Sequence, residues 1–376
     1  MTAAMSITVT PSLLRDLATF HAPNGCAISL YLDLDPSVAA TPADADGKFR
    51  ARLNDAQKLL DDRTDERECR MAVREDLARI RGWWDDDFDR DGVHGLAVFA
   101  SSAEGQFLAL PLAVRVPDTT WIGEELLLWP LLGRFSDVET LVAVVSRERG
   151  VVYRARDGRL DEIADESEEQ PGQHEQGGWA QARYQRHLEN LVRQHLKTVG
   201  EAIDRRAHGA QLIVVCPEEM RGAFASALSQ EARDAIVGWV TAEAHAGPAE
   251  LWDVIAPVVD EADARRAEAE LTRYAEGIGR QERACAGWQP TLDAAADARV
   301  EVLLVTEGAN QTVFQCPECR RGFVEDGTCP IDGLALVKRE DGVEVVIHHV
   351  LANGGQAQSV APGALNGEPV GALLRY

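Results

Sequence analysis

The sequence is short of positive charge: across 376 residues, 38 lysines and arginines stand against 62 aspartates and glutamates, a formal net charge of −24. Phosphate affinity comes from cations that displace counterions, so a chain-wide nucleic-acid binder is excluded and any RNA contact needs a local basic patch. No run of about eighteen apolar residues is present, which excludes a membrane-spanning helix of the ordinary kind. Residues 1–15 lack the basic-then-apolar pattern of a secretory signal, so the cytoplasm is the expected location. Cysteines number only 7, and Cys26, Cys69, Cys216 and Cys285 are scattered, which argues against a secreted disulfide framework. Several familiar signatures fail. Gly47-Lys48 has neither the upstream glycine nor the following Ser or Thr of a phosphate loop, and Gly277 and Gly279 lack the third glycine of a dinucleotide fingerprint. His174-Glu175 meets Gly178 where a zinc protease needs its second histidine, and no Gly-x-Ser-x-Gly elbow occurs. No organic cofactor is expected.

What is present is ample apolar material, 45% of the residues, in a chain long enough for two to three domains. The pattern predicts an α/β protein of three domains, with mixed sheets flanked by helices. The first domain, 1–133, carries an alternating strand over 27–33, a charged helical stretch over 48–84 and strands over 95–100 and 107–114. Its aspartate run over 85–89 lacks the ligand pattern of a calcium loop and is read as solvated. The middle domain, 134–262, has strands over 138–146, 150–154 and 160–163, then an acidic loop. A helix follows from Trp179 to Arg206, with Leu188, Leu191, Val192, Val199, Ala202 and Ile203 on one stripe. Strands over 211–215 and 236–242 enclose a helix over 218–229. The last domain, 263–376, is expected to hold helices over 260–277, 289–296 and 343–352, and strands over 300–305, 358–361 and 370–375.

Three features carry chemistry. At Gly177-Gly178-Trp179-Ala180-Gln181, two permissive glycines lead into a helix whose first N–H groups and dipole are positive, and Gln181 can orient a water. The same sequence also describes a plain flexible helix entry. The helix behind it carries Arg183, Arg186, Arg193, Lys197, Arg205 and Arg206 against Glu189, Glu201 and Asp204, a local excess of cations. Trp179, Tyr184, His187 and His195 add rings that can stack on bases; a solvated, salt-bridged face is the alternative. Finally, Cys316-Pro-Glu-Cys319 and Cys329-Pro-Ile-Asp332 have the shape of two zinc knuckles. They predict a structural zinc held by Cys316, Cys319, Cys329 and Asp332, in a ribbon-like insertion at about 312–338; a metal-free knuckle is the alternative, and His348 or His349 could replace the carboxylate. A literal Gly354-Gly355-Gln356 directly follows a helix and is read as its stop.

Together these residues resemble one superfamily, the archaeal and eukaryotic class-one peptide-chain release factors, Pelota and the Vms/Ankzf-type peptidyl-tRNA hydrolases. Gln176 to His187 resembles their glycine-rich catalytic loop and basic helix, and Gly178-Trp-Ala-Gln181 fits the Gly-x-x-Gln of the Vms/Ankzf-type branch. The cysteine cluster lies where some members carry a zinc-ribbon insertion, and Gly371 to Tyr376 resembles a closing strand of the last domain. The resemblance is loose over the first domain, which lacks the Asn-Ile-Lys-Ser stop-codon motif, and best from about 138 onward. It implies a bacterial member acting in ribosome rescue rather than termination. It also implies a hydrolysis of peptidyl-tRNA with Gly177, Gly178 and Gln181 at the ester and Trp179, Arg183, Arg186, Arg193 and Lys197 on RNA. The implied partners are the ribosome at its A site and peptidyl-tRNA, with a translational GTPase for delivery and no membrane. Some relatives have lost the glutamine loop and act by occupying the A site, which is the alternative function.

Overall fold

The computed structural model describes residues 9–23, 26–62, 67–133, 138–156, 158–167, 179–243 and 246–376, without the side chains of 179–186 and 188. The chain divides into two compact units, one formed by residues 1–135 with 268–376 and the other by 136–267.

The amino-terminal segment starts with helix α1 (Pro11–Thr19), whose Leu13 N–H is capped by the Thr10 hydroxyl at 3.2 Å. Strand β1 (Ala27–Asp33), helices α2 (Pro42–Asp62) and α3 (Arg67–Asp86), and strands β2 (Gly95–Ser101), β3 (Gln106–Leu112) and β4 (Thr119–Gly123) follow. The sheet is antiparallel, in the order β3-β2-β1-β4. Alternation along β1 sends Ile28, Leu30 and Leu32 to one face, where Phe49, Leu53, Leu60, Val73 and Ile80 of α2 and α3 cover them. The single helical stretch expected over 48–84 is therefore two helices, because each has its own apolar stripe and both stripes feed this one cluster.

The second unit holds β5 (Thr140–Val145), β6 (Gly150–Arg156), β7 (Arg159–Asp165), α4 (Trp179–Asp204), β8 (Gln211–Val215), the short helices α5 (Arg221–Ala225) and α6 (Gln230–Asp234), and β9 (Ile236–Val240). Its five-stranded sheet runs β7-β6-β5-β8-β9, antiparallel on the β6 side and parallel on the β8 side. Both faces of β5 and β8 are buried, one under α4, α5 and α6 and the other under Leu251 and Ile255. These strands accordingly read as continuous apolar runs. The helix expected over 218–229 is broken: Ser229 accepts a hydrogen bond from the Ala232 N–H and begins α6 as its cap. Helix α7 (Pro248–Arg280) extends the expected charged stretch at both ends and contains Pro257.

The carboxyl-terminal segment contains β10 (Ala284–Ala286), α8 (Trp288–Ala296), β11 (Val300–Thr306), β12 (Val313–Gln315), β13 (Gly322–Phe323), β14 (Val337–Arg339), α9 (Gly342–Ala352), β15 (Gln356–Val360) and β16 (Val370–Leu374). One sheet runs β10-β16-β11-β15 and a small one runs β13-β12-β14. Helix α9 is apolar nearly all round, and Val346, Ile347 and Val350 share a cluster with Tyr31 and Phe99 of the amino-terminal sheet. The first and last segments thus own one core. Two polar groups cross it. Glu344 accepts the N–H groups of Leu128 (2.8 Å) and Trp129 (2.9 Å), and both ring nitrogens of His348 face carbonyls, Ala18 at 2.9 Å and Leu126 at 2.7 Å. Beyond α9, Gly354 takes φ +70°, with Gly355 N–H bonded to Val350 O and Gly354 N–H to Leu351 O. This is a Schellman stop, so Gly354-Gly355-Gln356 serves as the helix terminus. Among the described residues no helix is long and apolar enough to cross a membrane.

Candidate functional site

Helix α4 is where the sequence concentrates its candidate RNA contacts. Its 26 residues span about 39 Å at 1.5 Å per residue. Leu196, Val199, Ala202 and Ile203 are buried against the sheet, so the opposite face is turned to solvent, where Arg193, Lys197 and Arg205 are exposed. Within the described side chains the cations have company: Lys197 lies 3.7 Å from Glu201 and Arg205 3.9 Å from Glu166. Arg206 turns inward, donating to the carbonyls of Ala202 and Ile163. His195 corrects the reading of the helix as a row of stacking rings. It is fully buried, with Nε2 3.2 Å from the Arg149 carbonyl, because its position falls on the stripe that packs against β6. His187 is exposed.

Gly177 and Gly178 lie outside the described residues. Trp179, Gln181, Arg183 and Arg186 have their backbones in α4 and their side chains outside the description. Gln181 is the third residue of the helix.

The second site is built by two equivalent turns. In the first, the Cys316 N–H bonds to Arg321 O at 3.0 Å and the Arg320 N–H to Cys316 O at 3.0 Å; in the second, the Cys329 N–H bonds to Leu334 O at 2.8 Å and the Gly333 N–H to Cys329 O at 2.9 Å. The residue four after each leading cysteine has positive φ, Arg320 at 60° and Gly333 at 68°. The two turns repeat the same hydrogen bonds at the same spacing, so Asp332 holds the place that Cys319 has in the first turn.

Their side chains converge. The four candidate ligand atoms of Cys316, Cys319, Cys329 and Asp332 lie within 4.8 Å of one another. Cys319 Sγ is 3.6 Å from Cys329 Sγ, and Asp332 Oδ2 is 3.2 Å from Cys316 Sγ and 3.5 Å from Cys329 Sγ. A tetrahedral zinc with bonds of about 2.3 Å to sulfur and 2.0 Å to oxygen has edges of about 3.8 Å (S–S) and 3.5 Å (S–O). These three edges match to within about 0.3 Å, and all four atoms lie within 4.8 Å of one another, so the donor set fits such an ion. Protons are already unevenly shared. Burial, then Asp332, pushes the Cys319 thiol up to about 12. The Cys319 and Cys316 side chains hold Asp332 below the usual carboxylate range. Against the opposing effect of burial, the N–H groups of Asp332 and Ile331 pull Cys329 down.

Neither histidine considered as a ligand has its ring free. His348 bonds to Ala18 and Leu126 carbonyls, and His349 Nε2 lies 2.8 Å from the carbonyl of Arg320, inside the first turn. His349 thus braces the loop from behind, a role that spacing could not reveal. Arg320 and Arg339 both reach Glu125, which is buried, and Arg339 also pairs with Asp341 at 2.7 Å. Arg320, Arg339 and Asp341, with Cys316, Pro317, Trp121 and Trp129, line a cleft of about 1290 Å³ in the first unit.

Residues 134–257, the segment that contains the Gly-Gly-x-x-Gln sequence and α4, match the bacterial archaeo-eukaryotic release factor family 10. No curated protein matches the chain. Among solved structures the chain is similar to the archaeal translation termination factor aRF1 (15% identity, 98% of this chain and 99% of that one, TM-score 0.28). It is also similar to S. cerevisiae Dom34, a translation termination-like factor (12%, 77% and 81%, TM-score 0.39), and to Pelota in a model of ribosome-bound archaeal Pelota and ABCE1 (14%, 75% and 77%, TM-score 0.37). The likeness to the bacterial archaeo-eukaryotic release factor family thus lies in residues 134–257, about a third of the chain.

Proposed function

We propose that the protein is a ribosome-associated, release-factor-like hydrolase that frees the nascent peptide from its tRNA during ribosome rescue. The observation that carries this reading is the family match over 134–257, which covers the Gly-Gly-x-x-Gln sequence together with the helix behind it. In this reading Gly177 and Gly178 allow close approach of backbone to RNA. Gln181 holds a water against the ester carbonyl. The water adds to the carbonyl carbon, the bond to the ribose oxygen breaks, and that oxygen leaves with a proton. Catalysis is positioning and electrostatic help, with no covalent intermediate. Arg183, Arg186, Arg193 and Lys197 take phosphates and Trp179 a base. Zinc, held by Cys316, Cys319, Cys329 and Asp332, is structural: four protein ligands leave no open position for a substrate. A translational GTPase is the proposed delivery partner.

Peptide release from stalled ribosomal complexes tests the reading. Wild type releases the peptide and Gln181→Ala does not; equal release by the two overturns the catalytic assignment. One observation favours a second reading, A-site occupancy without hydrolysis: Gln181 is the third residue of α4 rather than part of the loop before it. Co-sedimentation with ribosomes while peptidyl-tRNA stays intact selects that reading.

A further inference from the structure

Two of the cysteines that look scattered in the sequence meet in the fold. Cys26 directly precedes β1 and Cys69 is in the first turn of α3; their Cα atoms are 5.4 Å apart and their sulfurs are joined. That Cα separation is the ordinary span of a disulfide, so neither element has to shift to make the bond. Both residues are buried, 1% and 3% exposed, in the core that α2 and α3 form with the sheet. The other five cysteines have different surroundings: Cys316, Cys319 and Cys329 share the metal-fitting cluster, and Cys216 and Cys285 are free. The pair closes a stretch of chain 43 residues long that contains all of α2.

We infer that Cys26 and Cys69 are a thiol-oxidation site, at which a hydroperoxide converts the reduced pair into a disulfide that staples α3 to the start of β1. The chemistry balances with peroxide as the oxidant. One thiol takes an oxygen atom and becomes a sulfenic acid, releasing a water; the second sulfur then displaces hydroxide, the S–O bond breaks, the S–S bond forms and a second water leaves. The pair gives up two electrons and two protons, and hydrogen peroxide takes up both. The bond restricts the unfolded chain over the 43-residue stretch. Because it is buried, a reductant in solution reaches it only when α3 opens.

The test uses the full-length protein, purified under reducing conditions so that the pair is never oxidised, then desalted and treated with hydrogen peroxide. Denaturing alkylation and peptide mapping are expected to recover the Cys26 and Cys69 peptides crosslinked to each other. The first unit of the oxidised protein is expected to unfold roughly 5–10 °C higher than the reduced form. The crosslink should survive dithiothreitol in native buffer and be lost once denaturant is added. Cys26→Ser and Cys69→Ser should each abolish crosslink and thermal gain; if either variant folds poorly, the map of the wild-type protein decides alone. Recovery of both residues as alkylated thiols after peroxide overturns the site. A crosslink with an unchanged unfolding temperature overturns the staple.

Discussion

Replacing Asp332 with alanine removes one of the four converging candidate ligands while leaving the turn that carries it, since the Cys329 N–H and Gly333 N–H bonds are backbone bonds. Structural zinc sites with four ligands contribute about 10–16 kcal/mol, so one ligand is worth roughly 3 kcal/mol. At about 1.4 kcal/mol per tenfold, Asp332→Ala should weaken zinc binding by about two orders of magnitude. Asp332→Cys should restore it, because the second turn repeats the first in hydrogen bonding and in the sign of φ, and the first already delivers a cysteine sulfur from that place. Competition against a chromophoric chelator measures both changes on the full chain. Cobalt substitution gives an independent readout, since a fourth thiolate in Asp332→Cys strengthens the sulfur-to-metal charge-transfer band. Removing the ring that faces the Arg320 carbonyl, His349→Ala, should cost about 10–100-fold. Binding by Asp332→Ala as tight as wild type would refute the ligand set.

Three further outcomes follow from other parts of the molecule. Charge reversal at Arg193 and Lys197, both exposed on α4, should weaken ribosome co-sedimentation and flatten its salt dependence; an unchanged salt slope counts against α4 as the RNA-facing element. Burial pushes the Glu344 carboxyl up to about 7 from an ordinary 4.5, so the folded state binds its proton more tightly than the unfolded one. Its contribution, about 3 kcal/mol, is complete below pH 4.5 and is lost as the pH rises to about 7; denaturant titrations of Glu344→Gln should show a flatter profile across that window. A methyl group added at Gly371 would sit 2.5 Å from the Tyr274 hydroxyl oxygen, and Tyr274 is buried, so Gly371→Ala should cost about 1–3 kcal/mol in chemical unfolding.

Much of the architecture was legible because it follows from local rules. The alternation of β1, the apolar runs of β5 and β8 and the stripe of α4 each encode which faces are buried, and burial drives the element to form. The two cysteine turns were legible for a different reason: each knuckle sets its two candidate ligands three residues apart, a spacing that is visible in one dimension. The failures share a cause as well. A periodicity does not show where one helix ends and another begins when both face the same sheet, as with α2 and α3, or when a serine cap intervenes, as at Ser229. His195 reads as a ring available for stacking until the sheet arrives to cover it.

By itself, then, the chain's order of residues determined its α/β class, the start of the long helix and the metal-fitting turns, all set by interactions within a few residues. Only the tertiary structure decided that the first and last segments share one core, that His349 braces the Cys316 turn, and that Cys26 meets Cys69. Those contacts join residues tens to hundreds of positions apart, and they exist because separate apolar faces have to be buried together.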